Sequence, residues 1–348
     1  LSLNDEIPDE ALELDHPPYY RPPADSPEYR YLVERRAALN GPVPSRTLDI
    51  RTPIEMPDDK AFAEFDAGSG ETEASTTGVF TRLLRSLARD KRFGRRVVPI
   101  IPDEGRTFGM DALFKELQIY ASQGQLYEPV DHNMLLSYVE GDNGQILEEG
   151  ITEAGSMASW IAAATSYATH GVPVVPFFTF YSMFGFQRVG DSIWSAADSR
   201  ARGFLLGGTA GRTTLLGEGL QHQDGHSHLL SSTVPNCVSY DPTFSYELAV
   251  ILQDGLRRMY GDNEDVFYYV TVMNENYIQP VMPDGVEDGI IDGMYLYRQG
   301  SRKKKRVQLM GSGTILREVI AAAALLEDEW NVAADVWSVT SFTELRRE

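Results

Sequence analysis

The sequence is short of cysteine, of positive charge and of long apolar runs. A single cysteine, Cys237, excludes an intrachain disulfide framework and fits a reducing compartment, so the cytoplasm is the expected location. Lys and Arg total 31 against 51 Asp and Glu, a formal charge of −20. Neutralising phosphates needs the opposite balance, which argues against a nucleic-acid partner. No apolar stretch is long enough to span a bilayer, and no basic N-terminal region precedes an apolar one. Neither a membrane anchor nor a secretory leader is expected. The one basic run, Arg302 to Arg306, reads as a solvated connection.

What is there suffices for two domains: 348 residues, 42% of them hydrophobic. Residues 1–60 are acidic and proline-punctuated and read as an extended arm around a larger body. One helix fits in it from Pro27 to Leu39, with Ser26 as N-cap. Strand and helix signals then alternate. Helices are expected near Ser75–Leu87, Met110–Tyr120, from Thr152, around Ile193–Ala201, and over Phe244–Tyr260. Short apolar strands are expected at Val97–Ile101, Val172–Tyr181, Gly203–Gly208, Cys237–Tyr240 and Val266–Met273. Such alternation predicts a parallel sheet with helices on both faces and a ligand outside the C-terminal strand ends. The turn at Glu104 and a histidine-rich loop both follow strands, so both belong to one rim. A further strand–turn–helix–strand begins at Val307, after a glycine- and charge-rich linker. Its Gly311-Ser312-Gly313 reads as a plain turn and not a dinucleotide fingerprint.

The histidine loop runs from Gly217 to His228 and holds three of the six histidines. A metal held by His222, His226 and His228, with Glu218 and Asp224, is one reading, although the spacing matches no established zinc pattern. Two histidines bonding the loop's own backbone is a second. A histidine serving as proton donor or acceptor is a third. Glu153 opens an Ala-rich helix expected to be buried on all sides. It is either a favourable charge at the helix N-terminus or a desolvated carboxyl suited to proton transfer. The aromatic stretch Phe177 to Phe186 reads as packed core, or as a platform for a flat ring at its glycine end.

Four strings carry a resemblance: Pro102-Asp103-Glu104-Gly105-Arg106-Thr107-Phe108-Gly109-Met110, Gly144 to Glu153, Tyr181 to Arg188, and Gly207 to Thr214 running into the histidine loop. With them the chain resembles the pyruvate dehydrogenase E1 component of the bacterial homodimeric type, a thiamin-diphosphate family. The resemblance implies a transketolase-type pyrimidine-binding α/β domain over 61–285, its parallel sheet flanked by helices. A linker over 286–305 and the start of a second α/β domain, the transketolase-like C-terminal domain, over 306–348 would follow.

In the resembled family Glu153 matches the glutamate that bonds the cofactor's aminopyrimidine. Ile151 matches an apolar residue near the cofactor's bend, and Phe184 the aromatic against the pyrimidine. Tyr181, Glu104, Glu218 and His222 match polar residues of the active centre, with His222 tied to acetyl transfer to lipoamide. Gly124 to Tyr138 matches a mobile covering loop. The implied cofactors are thiamin diphosphate and Mg, with pyruvate as substrate. The implied partners are a second E1 subunit and the lipoyl domain of the E2 dihydrolipoyl acetyltransferase. The family's Gly-Asp-Gly diphosphate and magnesium motif is absent from the sequence, so no metal ligand is expected in this chain and the isolated chain is expected to be inactive. Another 2-oxo acid as substrate, a non-catalytic assembly subunit, and a zinc hydrolase are the competing readings.

Overall fold

The computed structural model describes residues 10–11, 16, 21–38, 41, 50–103, 105–211 and 219–347. Glu104 and Glu218 lie outside the described residues. The chain divides into two compact units, residues 1–47 and 48–348. Within the first, helix α1 (Pro27–Ala38) starts where Ser26 Oγ accepts the Tyr29 amide at 3.1 Å. Proline suits the first helical position because its missing N–H has no partner there in any case.

The second unit is organised on a six-stranded parallel sheet. Helix α2 (Thr76–Arg89) enters it, capped by Ser75 Oγ on the Gly78 amide at 3.0 Å. Its strands are β1 (Val97–Ile101), β2 (Leu147–Glu148), β3 (Val175–Tyr181), β4 (Phe204–Gly208), β5 (Cys237–Tyr240) and β6 (Phe267–Thr271), in the spatial order β2-β1-β3-β4-β6-β5. Every neighbouring pair is parallel. Helices α3 (Glu153–Ala164), α4 (Gly185–Asp198), α5 (Ser227–Ser231) and α6 (Ser245–Leu256) connect them.

Strand register places the two helix layers. Phe177, Phe204 and Tyr268 are cross-strand partners on one face. Phe177 and Phe204 stack at 4.8 Å, and Phe80 of α2 meets Phe177 at 5.9 Å. Phe267 alternates to the other face and meets Trp160 of α3 at 5.8 Å. The Trp160 indole donates to the Phe204 carbonyl at 3.1 Å, so its one polar atom is satisfied in the core. Burying each such aromatic contributes about 1.5–3 kcal/mol. The expected parallel sheet with a helix layer on each face is therefore present.

Three expectations change. Met110–Tyr120 is not one helix: a 3-10 turn over Met110–Leu113 and a short helix over Phe114–Leu117 end at Gln118, whose φ of 55° takes the chain out of the helix. Helix α3 buries one face only, through Ser156, Met157, Trp160 and Ala164, while Ala154, Ala158 and Ala162 are exposed. Alanine side chains are too small to reveal from sequence whether anything covers them. Finally, the stretch 286–305 is built into structure, with a helix over Glu287–Asp292 and strand β7 (Met294–Arg298). Strand β7 pairs antiparallel with β9 (Val332–Val339), which pairs parallel with β8 (Lys305–Gly311). Helix α7 (Thr314–Trp330) crosses between β8 and β9. Among the described residues no helix is long and apolar enough to cross a membrane.

Candidate functional site

The C-terminal ends of the central strands β1, β3 and β4 lie side by side, and their following segments form one rim. Strand β3 delivers Tyr181 to it. The Tyr181 ring packs edge-on against Phe108 at 5.1 Å and against His222 at 4.8 Å. Phe184 follows one turn later, with its ring 5.1 Å from His222. The imidazole is thereby held between two aromatic edges, and His222 Nδ1 is buried without a hydrogen-bond partner among the described residues. The close approach behind this wall needs glycine. A Cβ on Gly207 would fall 2.4 Å from Tyr269 Oη, and one on Gly185 would fall 1.9 Å from the Phe180 ring. Where β4 ends, Thr209 adopts φ of 50°, a strained turn of the kind found at functional sites.

Glu153 stands in the first turn of α3, but the cap belongs to Thr152, whose Oγ1 accepts the Gly155 amide at 3.2 Å. The Glu153 carboxylate instead bonds Arg188 Nη1 of α4 and is 16% exposed. The Arg188 guanidinium carbon lies 4.2 Å from the Phe184 ring centroid, a cation–π contact. Phe184 is therefore shared: its ring carries the partner of Glu153 and packs against His222.

The other two loop histidines shape the loop. His226 Nε2 lies 3.2 Å from the Met183 carbonyl oxygen and 2.6 Å from the Gln187 side-chain amide. His228 Nε2 lies 3.1 Å from Thr271 Oγ1 of β6. Asp224, buried beneath them, accepts from the His226 and Ser227 amides at 3.1 and 3.0 Å and from Ser227 Oγ at 2.5 Å. Burial pushes its carboxyl up, yet the Ser227 hydroxyl and these two amides outweigh that and hold it below the ordinary carboxylate range. Among the described residues no group of three or more His, Cys, Asp or Glu is placed to hold a metal ion. The metal reading of the histidine loop has no geometric support in them.

Of the residues singled out from sequence, the rim brings together Tyr181, Phe184 and His222, with Glu153 joined through Arg188. Ile151, two residues before Glu153, is 84% exposed. Glu104 and Glu218 cannot be placed, being outside the described residues. The segment Gly124 to Tyr138 is tied down by an ion pair from Arg106 to Asp131 and by the Tyr138 hydroxyl donating to Glu148. It exposes Leu126, Val130 and Leu135 almost fully. Sequence reasoning gave Arg188 no role. A basic residue four positions after an aromatic at a strand end was the available signal.

Comparison with known proteins supplies the rest. The family model described as "Pyruvate dehydrogenase E1 component middle domain" matches residues 53–280, and "Transketolase-like TK C-terminal domain" matches 293–348. A "Pyruvate dehydrogenase E1 component" of Pseudomonas aeruginosa is 58% identical over 344 residues, covering 99% of this chain and 39% of that protein. The protein of that name from Escherichia coli K12 is 50% identical, over 98% of this chain and 39% of its own length. The chain thus spans about two fifths of the length of these curated relatives. Among solved structures, the transketolase of Leishmania mexicana aligns with a TM-score of 0.64 at 15% identity, over 92% of this chain and 41% of that one. The transketolase of Campylobacter jejuni aligns at 0.58 and 16% identity, over 92% and 42%. At these identities the likeness to transketolases concerns the fold.

Proposed function

Because the chain belongs to the pyruvate dehydrogenase E1 component family, we propose that it supplies the pyrimidine-side wall of a thiamin-diphosphate site in an enzyme that decarboxylates pyruvate and acetylates the lipoyl group of an E2 component. The observation that carries the reading is the shared ring of Phe184. It joins an ion-paired glutamate on one side to a histidine on the other, at the C-terminal ends of a parallel sheet.

The residues present fit an aminopyrimidine. It needs a carboxyl for a ring nitrogen and an aromatic surface for its plane. Glu153, 16% exposed and bonded by Arg188, which is half-exposed, and Phe184 meet those needs. By family resemblance the magnesium and diphosphate ligands are assigned to residues outside this chain. Thiamin diphosphate, when bound, supplies the carbon that attacks the 2-oxo group and the electron sink for loss of CO2.

The chain's own residues would do the following. Glu153 exchanges Arg188 for a ring nitrogen and holds a proton between that nitrogen and its carboxyl oxygen. Phe184 and Tyr181 exclude water from the reacting end. His222, with one ring nitrogen already out of solvent, takes and returns the proton at sulfur when the acetyl group passes to the lipoyl arm. Tyr181 holds the His222 ring edge-on. Glu104 and Glu218 join the same wall by family resemblance, Ile151 borders the cofactor's bend, and the Gly124–Tyr138 segment is the proposed cover. A second subunit completes the site, in the cytoplasm.

The test is Glu153→Gln in the full-length protein, assayed with pyruvate and a one-electron acceptor. The expected loss is about 10²–10⁴-fold, the range general acid–base groups supply. Turnover within about twofold of the parent would reduce Glu153 to a charge at a helix end and remove the basis of the reading.

A further inference from the structure

We propose that Asp241 is a positioning residue for the histidine loop, acting through Thr271 and His228 and tying that loop to the second sheet. This rests on the reading of His222 given above.

Asp241 follows β5 and bonds four ways. Its backbone amide donates to the Thr340 carbonyl at 2.8 Å, and its own carbonyl accepts the Gly313 amide at 3.0 Å. Oδ2 accepts from Ser312 Oγ at 3.0 Å, and Oδ1 accepts from Thr271 Oγ1 at 2.6 Å. Three of these bonds reach the second sheet and the start of α7. The carboxylate fills the glycine turn there: a Cβ on Gly313, itself at φ 49°, would fall 2.4 Å from Asp241 Oδ1. The fourth bond turns back to the histidine loop. Both acceptors facing Thr271 Oγ1, Asp241 Oδ1 at 2.6 Å and the Tyr240 carbonyl at 3.3 Å, can only accept, and the single hydroxyl proton goes to the nearer, charged Asp241. The Thr271 oxygen must then receive, and what faces it at 3.1 Å is His228 Nε2. The chain of bonds thus runs one way, from Nε2–H of His228 through Thr271 to Asp241, and fixes which ring nitrogen of His228 carries the proton.

His228 is the second residue of α5, six residues after His222. Together with His226 on the Met183 carbonyl it pins the far side of the loop that presents His222 to Tyr181 and Phe184. Thr271 is 2% exposed and sits on the central sheet, so this pin is rigid. Displacing a proton-transfer group by about 1 Å can cost up to 10²-fold in rate. Thr271 reaches the rim at His228 and Asp241 reaches it through Thr271, on the side of the loop away from the Tyr181 and Phe184 rings that hold His222, so both act on position.

The experiment uses the full-length enzyme and two assays. One couples pyruvate oxidation to lipoyl acetylation, and the other uses a one-electron acceptor that bypasses the transfer. Thr271→Val, which keeps the shape and removes the hydroxyl, and Asp241→Asn are expected to slow the lipoyl-coupled kcat about tenfold. The KM for pyruvate and the one-electron rate should stay within about twofold. Thr271→Ser restores the bond and should restore the coupled rate. His222→Ala is the reference. If it slows the coupled assay while Thr271→Val and Asp241→Asn leave it unchanged, or slow both assays alike, the positioning role is overturned and the reading of His222 stands. If His222→Ala leaves the coupled rate unchanged, that reading falls and the positioning proposal falls with it.

Discussion

The guanidinium of Arg188 bonds the carboxylate of Glu153 across the gap between α4 and α3, from residues 35 apart in sequence. Arg188 is 49% exposed and Glu153 16%. A pair with one partner so open contributes little, within about 0–1 kcal/mol. A pair this weak fits the proposed exchange of Arg188 for a cofactor ring nitrogen. Arg188→Met should change unfolding free energy by less than about 1 kcal/mol in denaturant titration. In calorimetry on the full-length protein it should leave thiamin-diphosphate affinity unchanged or tighter, since one competitor for Glu153 is gone. A tenfold loss of affinity (~1.4 kcal/mol) would mean instead that Arg188 holds the cofactor itself.

Asp224 makes the histidine loop acid-sensitive. Its folded pKa lies below the ordinary 3.8, because the donors from Ser227 and His226 outweigh burial. The stability it contributes is therefore complete above that ordinary value and disappears as pH falls through the lower, folded one. Asp224→Asn removes this dependence and leaves one donor facing others, at a cost of about 1–3 kcal/mol near neutrality. Melting temperature measured from pH 6 downward should fall less steeply below about pH 4 in the variant than in the parent. Equal acid slopes for the two proteins would show that Asp224 is not the group responsible.

The sheet was readable because its strands are short, apolar and bounded by turn residues, as in Phe267–Thr271. Helix α2 was readable from Val79, Phe80, Leu83, Leu84 and Leu87 on one face with a serine cap. Periodicity could not see Gln118, where a single positive φ ends a helix whose apolar spacing continues. Nor could it see that Val286–Lys305, rich in glycine and charge, carries a strand: β7 is specified by its partner β9 some forty residues on. At the site, types and spacing marked Glu153 and the histidines as chemically capable. Their division of labour depends on contacts across 35 to 43 residues, His226 with Met183 and His228 with Thr271. Such partners come from topology, which local pattern does not encode.

Cys237 is fully buried in β5, and burial pushes its thiol up to about 12. The thiolate is the reactive form, so at pH 8 its population is about a thousandfold below that of a free thiol. The peptide containing Cys237 should remain unmodified when the native protein is treated with iodoacetamide and become fully modified in guanidinium chloride. Mass spectrometry reads both. Rapid native labelling would require β5 at the sheet edge to open readily.

Glu247 is a buried acid that joins the six-stranded and the three-stranded sheets of the second unit. Its carboxylate accepts from the Thr243 and Phe244 amides at 2.6 and 3.0 Å, on its own side, and from Tyr295 Oη and Ser338 Oγ at 2.6 Å each, on the second sheet. Its exposure is zero, and burial raises its pKa above the ordinary 4.5 against the pull of those four donors. A glutamine replaces one accepting oxygen by an N–H₂, so either the two amides lose their acceptor or the Tyr295 and Ser338 hydroxyls must turn their protons to other acceptors, and a donor left unsatisfied costs about 1–3 kcal/mol. Ionising the wild-type carboxyl costs folding stability, a penalty that begins near pH 4.5 and is complete above the raised folded value. Glu247→Gln lacks that term, so the gap between it and the parent should narrow as pH rises through this window. Ser338→Ala tests the bridge separately. In a double-mutant cycle with Glu247→Gln the two changes should couple by about 0.5–3 kcal/mol, because both remove one bond. Strict additivity would place the tie between the two sheets elsewhere, among the other polar links at the same junction, such as Asp241 on Ser312 and Gly313, Thr243 Oγ1 on the Gly313 carbonyl at 2.7 Å and Ser341 Oγ on the Ser239 carbonyl at 2.6 Å.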